Sequence, residues 1–478
     1  MLEDYYANSD VCARMVEFLG GDSPDDATSV HITGEGPSAD VGFVPRSPGD
    51  LWRCLDEGLD VGRSLWDRRS LIAHLDIEYV NFDLPAEPYV EPARCFDIQR
   101  PVVHAIQEVL LGYGIAPLHL LTGRGHHFVW RIDYHSPAFE SLTAMGQLPE
   151  TLRSKYAQPH APCGESVDPR LGAAFASLAL VMENVAHRVL ERSASICGIP
   201  VMLTAVEAGP NGRGREVVSI DLSEYGDPLH TRGVRIPFST YLKLHQQRWM
   251  LGDVVEELPP LFMIPLHEMD DRQGLFAMRD VDQVLEIARR GSVQIPDQSQ
   301  ATERLVADYN GSRLARWHDY FYSAEHDPCE AWPQTYDRTP RAPLPRCARI
   351  ILEQPNERML KPAALQHIVR ILLAVGWHPR HIAGLFRSKY ERDFGWGEKW
   401  YRYDAATRAD FYVRLFAGLF ATGHDALVDL NCRSCQEKRY CPDGSCNDNL
   451  SRFRDLLLTR RDNGEARFLD NADCAAAR

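Results

Sequence analysis

An α+β fold in two parts is what this sequence predicts, on three observations. The segment Leu71 to Val80, LIAHLDIEYV, alternates apolar and polar side chains with the period of a half-buried strand. PLHLLTGRGHHFVWRI reads as strand, glycine turn and strand, and a long helical pattern follows from about Leu171 to Arg192. Beyond five prolines at positions 328, 333, 340, 343 and 345 the hydrophobic period becomes helical throughout, and cysteines gather there.

Taken in order, residues 1–60 mix Gly, Pro and acidic residues behind a helix-like opening, YYANSDVCARMVEFLG, and have no assignable role. In the first strand Leu71, Ala73, Leu75, Ile77 and Tyr79 share one face, and His74, Asp76 and Glu78 the other. Val102, Ile106, Val109 and Leu110 then follow helical spacing up to Gly112 and Gly114. VVSIDL from Val217 is a further strand. These elements delimit an α+β domain over 61–300, a linker over 301–345 that is Pro-rich at its end, a helical domain over 346–460 and a tail over 461–478. The helical domain carries four periodic runs: LQHIVRILLAVG, HPRHIAGLFRSKY, RADFYVRLFAGLF and LSRFRDLLLTRR.

The 478 residues exceed what one hydrophobic core usually organises. A net charge of −15 excludes a protein that coats nucleic acid by charge alone. The balance is uneven: residues 361–460 hold 16 Lys or Arg against 11 Asp or Glu, or +5, which leaves −20 elsewhere. No basic start precedes an apolar run, and no uninterrupted apolar stretch is long enough to cross a bilayer, so a cytoplasmic location and no membrane partner are expected. Twelve cysteines in such a chain suggest reduced thiols and metal ligands.

Asp76 and Glu78, two apart on one strand face, have the spacing that lets carboxylates share one or two divalent ions, although acidic residues are also common on a solvated strand face. Thr122-Gly123-Arg124-Gly125-His126-His127 lies at a turn where glycines can bring N–H groups to a phosphate, or can simply make a hairpin. Asp221 ends a strand and is followed by Arg232, Arg235 and Lys243. The order D-h-E, T-G-R-G-x-H, then h-D with R-x-x-R-I-P-F-S-T-Y-L-K resembles the three motifs of the archaeo-eukaryotic primase and primase-polymerase superfamily, over about Leu71 to His245.

That resemblance implies a primase-type, RRM-like catalytic core. Asp76, Glu78 and Asp221 would hold two Mg2+ or Mn2+ ions that align a 3′-hydroxyl with the α-phosphate of an incoming NTP or dNTP. Thr122, the amides of Gly123 and Gly125, and His127 would hold the triphosphate, while Arg235 and Lys243 would neutralise phosphate charge. Arg124, Arg232 and Ser239 are weaker candidates. The first motif reads D-x-E where many primases have D-x-D, and of the adjacent histidines the motif register favours His127. Two other functions fit the same core: a repair or end-joining polymerase that extends primers without starting them, and a non-catalytic protein that binds nucleotide or nucleic acid. The template would be single-stranded DNA, and with no helicase P-loop in the chain any unwinding would fall to a separate partner.

Cys432, Cys435, Cys441 and Cys446 form C-x2-C-x5-C-x4-C, a strong metal signal that suits zinc or a [4Fe-4S] cluster equally. With Cys347 in PLPRCARIIL, the region is similar to the iron–sulfur domain of primase large subunits, which implies Cys347, Cys435, Cys441 and Cys446 as cluster ligands and Cys432 as a spare. A zinc site using Cys432 instead of Cys347 is the alternative. Between these cysteines Trp396, Trp400, Tyr401 and Tyr403 interleave with Arg387, Lys389, Lys399 and Arg402, a pattern that suits base stacking and helix-pair packing alike.

Overall fold

The computed structural model describes residues 2–35, 41–159, 164–204, 215–246, 248–338, 343–396, 400, 403–441, 446 and 448–462. Its architecture is mixed α and β, with two sheets. Among the described residues ten strands make them: β1 (Ser29–Glu35), β2 (Val41–Arg46), β3 (Asp60–Asp67), β4 (Ser70–Asn81), β5 (Leu118–Leu121), β6 (Gly125–Asp133), β7 (Val201–Leu203), β8 (Glu216–Asp221), β9 (Gly233–Arg235) and β10 (Ile264–Pro265). The smaller sheet has the order β2-β1-β3-β9 and the larger β10-β5-β6-β4-β8-β7. All neighbours are antiparallel except β7 and β8.

The alternation in β4 sets up the larger sheet. Leu71, Ala73, Leu75, Ile77 and Tyr79 are fully buried, and two long helices, α1 (Pro92–Tyr113) and α2 (Pro169–Ser193), pack on β4 and on each other. Both helices open with proline in the first turn, where a missing N–H leaves no bond unmade. The first ends at Gly114 in the left-handed region, φ 77°, a conformation glycine adopts without steric cost. The second is, among the described residues, the one helix long and apolar enough to cross a membrane; 78% of that stretch is buried here, as in a core helix. His74, Asp76 and Glu78 emerge on the opposite sheet face.

Residues 1–60, to which the sequence gives no role, supply β1 and β2 to the smaller sheet. The Tyr5 hydroxyl donates to the Phe238 carbonyl at 2.8 Å, which ties the N-terminal helix to the segment after β9. Residues 301–345 differ from the expected linker. After the helix α3 (Val281–Arg290), the helix α4 (Ser299–Asn310) and the next, α5 (Arg313–Tyr322), occupy its first half, and Trp317 and Phe321 are fully buried. Asp337 in its second half pairs with Lys389 at 3.0 Å. Packing against neighbours, which a composition reading cannot register, makes the described residues of this stretch part of the body.

The C-terminal part is helical, as its periodicity predicts: α6 (Arg346–Glu353), α7 (Pro362–Ala374), α8 (Pro379–Tyr390), α9 (Ala405–Thr422), α10 (Cys432–Glu437) and α11 (Leu450–Asp462). Helix α9 is buried along nearly its whole length because it lies between α7, α8 and the sheet-bearing part. Two buried ion pairs cross that seam: Arg414 with Glu183 of α2, and Arg408 with Asp227 at 2.6 Å. One continuous apolar core runs through both parts. The aromatic and basic stretch belongs to this packing: Trp396, Trp400 and Tyr390 are buried, Lys389 is paired with Asp337, and Arg387 with Glu391 at 2.6 Å. Lys399, Tyr401 and Arg402 lie outside the described residues, as does the tail beyond 462.

Candidate active site and metal centre

Strand register brings the three motifs together. Asp76 on β4 stands directly opposite His127 on β6 and opposite Asp221 on β8, and Glu78 stands opposite Gly125. One sheet face therefore carries an imidazole and two carboxylates in a row, with a third carboxylate two residues along β4. His126 is turned the other way, into the core, where its Nδ1 lies 2.9 Å from His119 Nε2. Burial holds His126 well below the usual imidazole range, so the register that favours His127 matches the side facing the acids.

The charges on this face are unequal. Burial pushes the Glu78 carboxyl up, but the Arg124 guanidinium and then Lys243, with Nζ 3.4 Å from Oε1, override it and bring it to about 2. Among the described residues, Asp221 has no cationic partner. Burial first, then Glu224 and Asp76, push its carboxyl up to about 7, against the opposing hydrogen bond from the Ser223 amide. Asp76 Oδ1 is buried with no hydrogen-bond partner: His127 Nε2 lies 3.3 Å away but is not aligned to donate. A buried orphan oxygen beside an acid held near neutrality is a site short of positive charge, and divalent cations fit such a donor set.

The turn does less than its motif suggests. The Thr122 hydroxyl accepts from the Gly125 amide at 3.1 Å, so that amide is committed within the hairpin. Both glycines are required by close approach. A Cβ on Gly125 would fall 1.8 Å from the Ile77 carbonyl oxygen, and one on Gly123 would fall 2.6 Å from the Tyr241 ring. Arg235 is paired with Asp60 and stacks over Tyr241 at 4.7 Å, so its charge is partly answered from β3. Arg232 is paired with Asp227 at 2.6 Å, and the Ser239 hydroxyl donates to the Ile236 carbonyl, which leaves both in structural roles.

Two residues to which the motif reading gives no role stand in the site. Tyr241 connects the glycine turn to Arg235. Glu224 bonds His74 Nδ1 at 3.1 Å, and the His74 ring lies edge-on to His127 at 4.7 Å. Burial would lower His74, but Glu224, with Asp76 and Asp221 behind it, raises it instead. The alternation that places Asp76 on a face also places His74 there; nothing in the sequence announces Glu224.

The cysteines meet as well. Cys347 from α6, Cys432 and Cys435 from α10, and Cys441 and Cys446 beyond it line one cavity of about 100 Å³. Cys347, Cys435 and the His367 imidazole of α7 are all buried, with ligand atoms within 4.8 Å of one another, and this group could bind a metal. Among the described residues it is the one set of three so close, and the carboxylates stand further apart than that. A hydrogen bond from Cys435, opposed by burial and aided by His367, takes the Cys347 thiol down to about 5, while Cys435 is pushed up because it keeps the shared proton. Leu450 donates its backbone N–H to Cys432 Sγ at 3.5 Å. Both candidates for the fourth ligand, Cys347 and Cys432, therefore face the same space. His367 is a candidate ligand the sequence reading misses; its one signal is an imidazole on a largely apolar, buried helix. Compared with known protein families, with curated proteins and with solved structures, the chain finds no match.

Proposed function

We propose that this chain is a template-directed nucleotidyltransferase, a DNA primase or primase-polymerase, that joins NTPs or dNTPs on single-stranded DNA in the cytoplasm. The observation that carries the reading is the row His127, Asp76, Asp221 across three adjacent strands, with Asp76 Oδ1 unpartnered and the Asp221 carboxyl held near 7. Asp76, Glu78 and Asp221 would hold Mg2+ or Mn2+, which when bound supplies charge neutralisation between the 3′-oxygen and the α-phosphate. Arg124 and Lys243 keep Glu78 ionised and present positive charge on the same side. His127 lies within reach of a phosphate oxygen placed over Asp76, and Tyr241 stiffens the glycine turn beside it.

For the second centre we favour a [4Fe-4S] cluster over zinc. Four thiolates on one tetrahedral zinc at ~2.3 Å would stand only about 3.8 Å apart. Here five thiols are spread around a cavity of about 100 Å³, and only two of them join the tight group with His367.

The test is incorporation of labelled nucleotide on single-stranded DNA with Mg2+ or Mn2+, with and without primer. Asp76→Ala and Asp221→Ala should each lower the rate by about 10³-fold, equivalent to ~4 kcal/mol of barrier. Primer-independent product abolished by both changes establishes a primase. Product only with primer makes it an extending polymerase, and none from folded, metal-replete protein refutes the enzymatic reading.

A further inference from the structure

The strand carrying Asp221 ends at the active site, and the residues after it are bound on every side. The segment Leu222–Asp227 runs from β8 to the seam with the helical part. Its Tyr225 hydroxyl accepts from the His74 amide at 3.0 Å and donates to the His74 carbonyl at 2.7 Å. β8 pairs with β4 only from Asp76 onward, so this one side chain serves both backbone groups that the strand leaves open at His74. Glu224 bonds the His74 ring, and Ser223 bonds both oxygens of Asp221, at 2.9 and 3.1 Å. The segment thus fixes Asp221 from one side and the strand bearing Asp76 from the other.

The far end of the segment is held by the helical part. Asp227, 1% exposed, accepts from Arg408 Nη1 of α9 at 2.6 Å and from Arg232 Nη2 at 2.6 Å. The Arg408 guanidinium lies 4.1 Å from the Tyr403 ring centroid and 5.4 Å from those of Trp400 and Tyr412, so it is held by aromatic faces while its Nη1 is directed at Asp227. Gly226 sits against Phe411 so closely that a Cβ there would fall 2.5 Å from the ring.

We propose that Arg408 is a positioning residue for the carboxylate site: through Asp227 it anchors the 222–227 segment, which sets the spacing of Asp221 and Asp76. The inference rests on the reading of Asp76, Glu78 and Asp221 as cation ligands. The helical part thereby contributes to the active site without entering it, as supports behind metal ligands do elsewhere.

The test uses the full chain, with Mn2+ affinity measured by the electron paramagnetic resonance of free Mn2+ and with hydrogen exchange of the 222–227 amides. Wild type should bind Mn2+ in a manner lost in Asp76→Ala. Arg408→Lys and Asp227→Asn, two changes at opposite ends of the contact, should each weaken Mn2+ binding by about 10–100-fold and speed exchange in the segment. Arg414→Lys is the control, because it loosens the other buried pair of the seam, with Glu183 on α2, and should leave Mn2+ affinity unchanged. Unchanged affinity in both the Arg408 and Asp227 variants overturns the proposal, as does an equal loss in Arg414→Lys, which would mark general loosening. Wild type that shows no Asp76-dependent Mn2+ binding defeats the reading of the carboxylates first, and the proposal with it.

Discussion

At Asp221 the demands of folding and of the proposed cation binding are opposed. Its value of about 7 lies above the ~3.9 of an unfolded aspartate, so the metal-free protein carries an extra proton between about pH 4 and 7. Stability from this source is complete below pH 4 and is lost as the pH rises through 7. Asp221→Asn should therefore raise the Tm of the divalent-free protein at pH 8, by an amount equivalent to on the order of 1–2 kcal/mol, and change it little at pH 4. Calorimetry at the two pH values checks this, and an equal gain at both would show that Asp221 ionises normally. At this scale the sequence is legible where chemistry follows the strand period. Alternation puts His74, Asp76 and Glu78 on one face, and the motif register selects His127. Glu224, Tyr241, Asp60 and His367 reach their sites through contacts distant in sequence, which periodicity does not encode.

Elements built on period or on caps are legible in the same way. The strand at 70–81, the hairpin at 118–133 and the helices at 169–193 and 405–422 all follow from spacing that a short window records. The strands at 29–35 and 41–46 escape because glycine and proline interrupt them, and the second partner of the first is the strand at 60–67, beyond a helix. Glycine positions separate the two kinds of constraint. Gly125→Ala forces a Cβ onto the Ile77 carbonyl between β4 and β6 and should cost on the order of 3 kcal/mol. Gly112→Ala, in the last turn of α1 with nothing within 4 Å, should stabilise by about 0.5–1 kcal/mol, since alanine has less freedom to lose. Urea unfolding of the two variants gives both signs; a neutral Gly125→Ala would mean that the two strands separate easily.

For the whole molecule, proline content misleads about flexibility. Five prolines mark a boundary in composition, yet the chain there is pinned by Asp337 to Lys389 and Arg392 and by Tyr336 against Gly384. With a shared core and the Glu183–Arg414 and Asp227–Arg408 pairs across the seam, the two parts should unfold as one unit. Calorimetry should give one transition, and if the proposed cysteine-bound metal is present a chelator should move it to lower temperature. Two resolved transitions would mean that the seam is weaker than its buried charges imply.

The cysteine cavity joins the opening of the helical part to its end: Cys347 lies on its first helix, while Cys435, Cys441 and Cys446 come from the stretch before its last. During synthesis the earliest donor leaves the ribosome long before the final one, by on the order of 5–20 s at ordinary elongation rates. Until then Cys347 and His367, 3.4 Å apart in the finished fold, are without the rest of their set. In the proposed metal centre, insertion would thereby be timed to the completion of the domain, and a chain that stops short would be distinguished from a finished one by its failure to retain the metal.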